Sequence, residues 1–151
     1  MSRSATYRQL NDAIVALQRF ASSRKLDAVH AERAGVDLNL AAYGVLGRVV
    51  EHGPLSLGEL AKLSHMLPSA LSRQVRLLEE GGHIERMPGE DARVAVVSVT
   101  PAGRDAHRRL RAANEALLAR QLRGWSEAEL VDVAEKLERL VGDLRHVSSR
   151  P

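Results

Sequence analysis

Apolar residues at Leu10, Ala13, Ile14, Leu17, Phe20 and Ala21 recur at spacings of three and four, which predicts one long amphipathic helix from Thr6 to about Glu32, stopped at Gly35. Asn39 is placed to cap a second helix running through Tyr43, Leu46 and Val50 to Glu51, closed by His52-Gly53-Pro54. Leu55 and Leu57 flank Ser56 in a short extended piece. Ser56 and Glu59 form a Ser-x-x-Glu capping box that opens a third helix, Leu57 to about Leu63, because hydroxyl and carboxylate satisfy amides that helical bonding leaves free. Pro68 suits the first turn of a fourth helix, which reaches Glu80 before Gly81-Gly82.

Beyond those glycines the period changes from helical to alternating. Ile84 to Met87 and Arg93 to Val99 read as two strands of a hairpin, joined by a turn at 88–92. Thr100-Pro101 opens a fifth helix with Ala106, Leu110, Ala113 and Leu117 on one side. Ser126-x-x-Glu129 is a second capping box. The last helix carries Leu130, Val133, Leu137, Leu140 and Leu144, a coiled-coil-like seam, and Val147 to Pro151 reads as frayed. The order helix, short strand, helix, turn, helix, hairpin is that of a winged helix-turn-helix. The predicted fold class is mainly α with a small β-wing, with further helices at both ends.

Composition narrows the chemistry. The 151 residues suffice for one domain with a sizeable core, and with 3% aromatic residues that core is aliphatic. With no cysteine, disulfides, thiolate metal sites and thiol redox sensing are excluded. No apolar run has the length of a membrane span and Met1 to Arg8 is polar, so the expected location is the cytoplasm, with no membrane partner. Net charge is +3, unevenly spread: Ser126 to His146 carries three basic and six acidic residues, Met1 to Trp125 eighteen and thirteen. Because 19 of the 22 basic residues are arginine, a bias that base composition can produce, charge alone does not argue for nucleic acid.

Four segments, Leu57 to Ser64 (LGELAKLS), Pro68 to Glu80 (PSALSRQVRLLEE), Gly82 to Arg86 (GHIER) and Asp91 to Gly103 (DARVAVVSVTPAG), in this order and spacing, resemble the multiple antibiotic resistance regulator (MarR) family of transcription factors. The resemblance implies a single domain over 1–151, with a winged helix-turn-helix core at 39–100 and dimerisation helices at 5–34 and 101–146. The residues of the fourth helix support a DNA-binding reading in their own right. Ala70, Leu71, Val75, Leu77 and Leu78 supply an inward stripe, while Ser69, Ser72, Arg73, Gln74 and Arg76 supply short hydroxyls, guanidiniums and an amide suited to base edges in a major groove, with nothing acidic before Glu79. The resemblance assigns Arg93, at the wing, to a minor groove and lets Asp91 orient it; Ala92 stands where relatives often carry a second basic residue. Arg86, on the first wing strand, is placed to meet phosphate or to cover apolar surface with its stem.

Enzymatic readings have little to stand on. His30, His52, His65, His83, His107 and His146 form no HxH or HExxH spacing, neither Thr100-Pro101-Ala102-Gly103 nor Gly81-Gly82 carries a phosphate-loop fingerprint, and no GxSxG elbow occurs. No cofactor and no metal are expected. The competing reading is a winged-helix protein-assembly module without DNA contact. Leu10, Leu17 and Phe20, Leu110 and Leu117, and the Leu130 to Leu144 seam give more apolar surface than a small winged domain covers, which predicts a homodimer, and a twofold protein predicts a palindromic operator on double-stranded DNA. The resemblance further implies repression of a nearby operon and a small aromatic anionic effector. A pocket for it would draw on Phe20, Arg24, Tyr43, Leu46, His107 and Arg111.

Overall fold

Ser22-Ser23 interrupts what the apolar period reads as one helix. In the computed structural model, which describes residues 2–145, α1 (Arg3–Ala21) ends there and α2 (Arg24–Ala34) begins. The amide of Ser22 still bonds the Gln18 carbonyl and that of Ser23 the Phe20 carbonyl, but Ser23 has extended backbone (φ −74°, ψ 121°). Serine competes for backbone bonds inside helices and favours their ends, and the three-and-four period continues across such a break without registering it. Gly35 stops α2 as expected, in the left-handed region (φ 63°) that costs a side chain dearly.

Asn39 caps α3 (Leu40–His52), its side-chain oxygen accepting from the Ala42 amide at 2.8 Å. After β1 (Leu55–Ser56) come α4 (Leu57–Ser64) and α5 (Pro68–Glu80), then β2 (Ile84–Pro88), β3 (Ala95–Val99), α6 (Pro101–Gln121) and α7 (Glu127–Arg145). The sheet is antiparallel in the order β1-β3-β2, with Leu55 and Arg86 both opposite Val97. The wing turn therefore spans 89–94, wider than the alternation suggests, and Arg93 belongs to it and not to a strand. The frayed segment 147–151 and His146 lie outside the described residues.

The chain forms two compact units, Met1–Asn114 and Glu115–Pro151. In the first, Ala42, Val45, Leu46 and Val49 of α3 meet Leu60 of α4, Leu71, Val75 and Leu78 of α5, Ile84, Val97, and Ala106 and Leu110 of α6 in one aliphatic core. Burying a side chain of this size contributes about 1.5 to 3 kcal/mol, so the α3–α4–α5 arrangement is the best-anchored part of the chain. Leu77, expected in that stripe, is 42% exposed, and Ala70 is only half-buried. Leu110 and Leu117, expected on an uncovered surface, are buried within the chain itself. Helix α1 and, in the second unit, α7 contain no buried residue; Leu10, Leu17 and Phe20 on one and Leu130, Leu137 and Leu144 on the other are exposed.

Candidate nucleic-acid interface

Two helices and a three-residue turn build the site. The capping box that opens α4 is complete: Ser56 donates its amide to Glu59 Oε2 at 2.8 Å and its hydroxyl accepts from the Glu59 amide at 3.2 Å. Those bonds to the Ser56 backbone and side chain hold the Glu59 carboxyl below the usual carboxylate range. Helix α4 ends on His65 in the left-handed region (φ 51°), and Pro68 takes the first position of α5. No side chain caps α5 and its first turn holds no acid, so its leading amides remain available to an anion.

Successive residues of a helix turn by about 100°, and burial of Leu71, Val75 and Leu78 sends Ser69, Arg73 and Arg76 to the opposite side. Ser72 borders that exposed face. Gln74 does not join it: the residue is half-buried beside the core stripe, and its Oε1 is enclosed with no hydrogen-bond partner. Polarity alone had grouped Gln74 with the arginines, but rotation along the helix separates them.

At the wing, the Asp91 carboxylate accepts from the Arg93 amide at 3.1 Å, and Oδ1 stands 3.7 Å from Arg93 Nε. The amide of Gly89 bonds the Val94 carbonyl and that of Val94 the Asp91 carbonyl, closing the turn. The Arg93 side chain is 93% exposed at the tip. Arg86 has a different engagement from either one expected of it. Its Nε donates to Glu79 Oε1 at 2.6 Å and Nη2 to Oε2 at 3.3 Å, tying β2 to the last turn of α5.

Helix α5 and the wing share a tight joint. The His83 amide donates to the Leu78 carbonyl (2.8 Å), the Thr100 amide to the His83 carbonyl (3.1 Å), and the Thr100 hydroxyl to the Gly82 carbonyl (2.6 Å). The same hydroxyl accepts from the Gly103 amide at 3.0 Å, so α6 starts against this turn. A Cβ on Gly103 would overlap the His83 carbonyl. His83 Nδ1 is enclosed without a partner, and burial lowers the pKa of its imidazole.

A cleft of about 420 Å³ opens on the α3 side, lined among others by Tyr43, Gly47, Arg48, Glu51, Ser64 and His107. Of the expected pocket residues it includes Tyr43 and His107. Leu46 is wholly buried in the core, Phe20 is 51% exposed on α1, and Arg111 lies near enough to act on His107 by its charge but does not line the cleft. The Arg24 side chain is outside the described residues. Sequence reading missed Arg48, whose Nη1 is 3.6 Å from Glu51 Oε2; its position one turn before Glu51 on α3 was the available signal. Glu79 was passed over as well, since nothing in the order of residues couples it to Arg86 across the glycine turn. Among the described residues no group of three or more His, Asp or Glu is placed to hold a metal ion, and no helix is long and apolar enough to cross a membrane.

Comparison with known proteins bears on this geometry. A model of the MarR family matches residues 36–94, from the start of the buried core to the wing turn. A probable transcriptional regulator from Pseudomonas aeruginosa is 29% identical, covering 87% of this chain and 98% of its own, with a TM-score of 0.70. The transcriptional regulator BldR from Sulfolobus solfataricus is 22% identical over 95% of this chain and 99% of its own, with a TM-score of 0.78. A mutant MarR from E. coli, solved in complex with operator DNA, is 19% identical over 93% of this chain and 99% of its own, with a TM-score of 0.71. The last two likenesses are likenesses of fold. No curated protein sequence matches the chain.

Proposed function

We propose that this chain, whose residues 36–94 match a model of the MarR family, is a winged-helix, sequence-specific DNA-binding regulator of transcription. The observation that carries this reading is the exposed face of α5, where Ser69, Ser72, Arg73 and Arg76 stand together opposite the core stripe with an uncapped helix start beside them. Arginine can pair with both acceptors of a guanine edge in the major groove, and the serines let the backbone approach closely. Arg93, steadied by Asp91, enters the neighbouring minor groove from the wing. The MarR solved with operator DNA supports this reading through its shared fold.

In this proposal the protein acts as a homodimer, because the apolar residues left exposed on α1 and on α7 need a second copy to cover them. Its operator is then a palindrome with half-sites about 34 Å apart, one per α5. Binding there represses the adjacent genes by occupying the promoter, in the cytoplasm. The cleft beside Tyr43 and His107 receives a small aromatic anion, whose carboxylate competes with Glu51 for Arg48 and whose ring lies against the stacked pair. Such a ligand releases DNA only by favouring one spacing of the two α5 helices over another. A gel shift with duplex DNA at low and high salt tests the reading: phosphate contacts make affinity fall steeply as salt rises. Absence of any DNA complex at low salt favours the protein-assembly module instead.

A further inference from the structure

Glutamate is disfavoured at the C-terminal end of a helix, where the macrodipole is negative, yet α5 ends in Glu79-Glu80 and its last turn has no basic residue. Glu79 has a compensating partner outside the helix, the two-point contact from Arg86 described above. Strand β2 is paired along its whole length with β3, so the two strands move as one hairpin, and the Glu79–Arg86 contact ties the middle of that hairpin to the end of α5. Ile84 is its one buried residue, the following four are exposed, and it is one of the two edge strands of the sheet. The joint at Gly82, His83 and Thr100 holds the strand at its root. Five residues of strand extend about 16 Å, so a tilt of about 10° at the root would displace the far end by about 3 Å, enough to take the wing tip out of hydrogen-bond reach.

We infer that Glu79 and Arg86 are positioning residues for DNA binding: their two-point contact sets the angle between α5 and the wing, so that Arg73 and Arg93 reach adjacent grooves together. The inference rests on the DNA-binding reading above. An exposed ion pair adds little to stability, and its role here is geometric, for which the planar guanidinium fork is suited and a lysine is not. It also commits Arg86 to the protein and away from the phosphates.

These two uses of Arg86 predict opposite signs. Glu79→Gln leaves Arg86 without its charged partner. If Arg86 positions the wing, operator affinity falls about tenfold; if Arg86 is a phosphate contact restrained by Glu79, affinity rises. Arg86→Gln should weaken binding to a similar degree with an unchanged salt dependence, whereas loss of a phosphate contact would reduce the slope by about one. Arg93→Ala in the Glu79→Gln background supplies a readout that mere destabilisation would not give. With a misplaced wing, Arg93→Ala costs less there than in the parent protein, although Glu79 belongs to the end of α5 and Arg93 to the far tip of the hairpin. Thermal midpoints of all variants confirm folding, and exchanging the pair (Glu79→Arg with Arg86→Glu) should restore part of the affinity. Tighter binding by Glu79→Gln, or unchanged binding with full additivity to Arg93→Ala, overturns the inference while leaving DNA binding in place; a parent protein that binds no duplex overturns both.

Discussion

The imidazole of His107 stacks on the ring of Tyr43, centroids 5.1 Å apart and planes 19° from parallel, and so holds α6 against α3 at the wall of the cleft. Burial, reinforced by the positive charge of Arg111 and opposed by Glu51, lowers the His107 pKa. The folded protein therefore refuses a proton that the unfolded chain accepts. Stability is fully present above the unfolded histidine value, about 6.5, and is lost as pH falls toward and through the lower folded value. His83, lowered by burial, acts in the same direction. Urea midpoints should decline as pH is lowered from about 7 to about 5, and His107→Gln should flatten that decline while lowering the midpoint at neutral pH. Midpoints that rise on acidification would contradict this assignment.

Gly103→Ala places a Cβ against the His83 carbonyl, a backbone group that cannot turn aside, and should destabilise by about 1 to 3 kcal/mol. Gly58→Ala meets nothing closer than the Ser56 hydroxyl at 4.0 Å and should stabilise by about 0.5 to 1 kcal/mol. Opposite shifts in chemical denaturation from the same change of residue would locate the close approach of α6 to the α5–wing joint.

Gln74→Met removes an enclosed amide oxygen that has no partner and keeps much of the side chain's length. Stability should rise by about 1 kcal/mol, and sequence preference on DNA should not change. A lost preference at one base pair would return Gln74 to the reading face.

The fold was legible because its punctuation is chemical. Asn39, both Ser-x-x-Glu boxes, Pro68, the Gly81-Gly82 turn and Thr100-Pro101 mark ends of elements by groups that satisfy or lack backbone bonds, and each stands at an observed boundary. What escaped depends on rotation and on long-range packing. The break at Ser22-Ser23 preserves the apolar period; Leu77 and Gln74 exchange expected faces because only the burial of Leu71, Val75 and Leu78 fixes the rotation of α5. For the pocket, polarity and spacing offered Phe20 and Leu46, but tertiary packing exposes one and encloses the other. Arg48 and Glu51 take their place at the cleft.

Leu137 lies in the uncovered seam of α7 and is 43% exposed in the single chain. Leu137→Asp should bring an unpaired carboxylate into a dimer contact made there, and sedimentation at micromolar protein should change from twice the chain mass to the chain mass. A parent protein that sediments as a monomer would oppose the homodimer reading.

Selection of bound duplexes from a random-sequence pool, followed by titration of the winning site with the parent protein, Arg73→Ala and Arg93→Ala, tests most directly whether α5 reads DNA. The account predicts enrichment of an inverted repeat with half-sites one helical turn apart. Arg73→Ala should lose about 1 to 3 kcal/mol on that site and relax the preference at one position of each half, whereas Arg93→Ala should weaken binding with less effect on sequence choice. A pool that stays random after selection, or an enriched site bound equally by all three folded proteins, would contradict it.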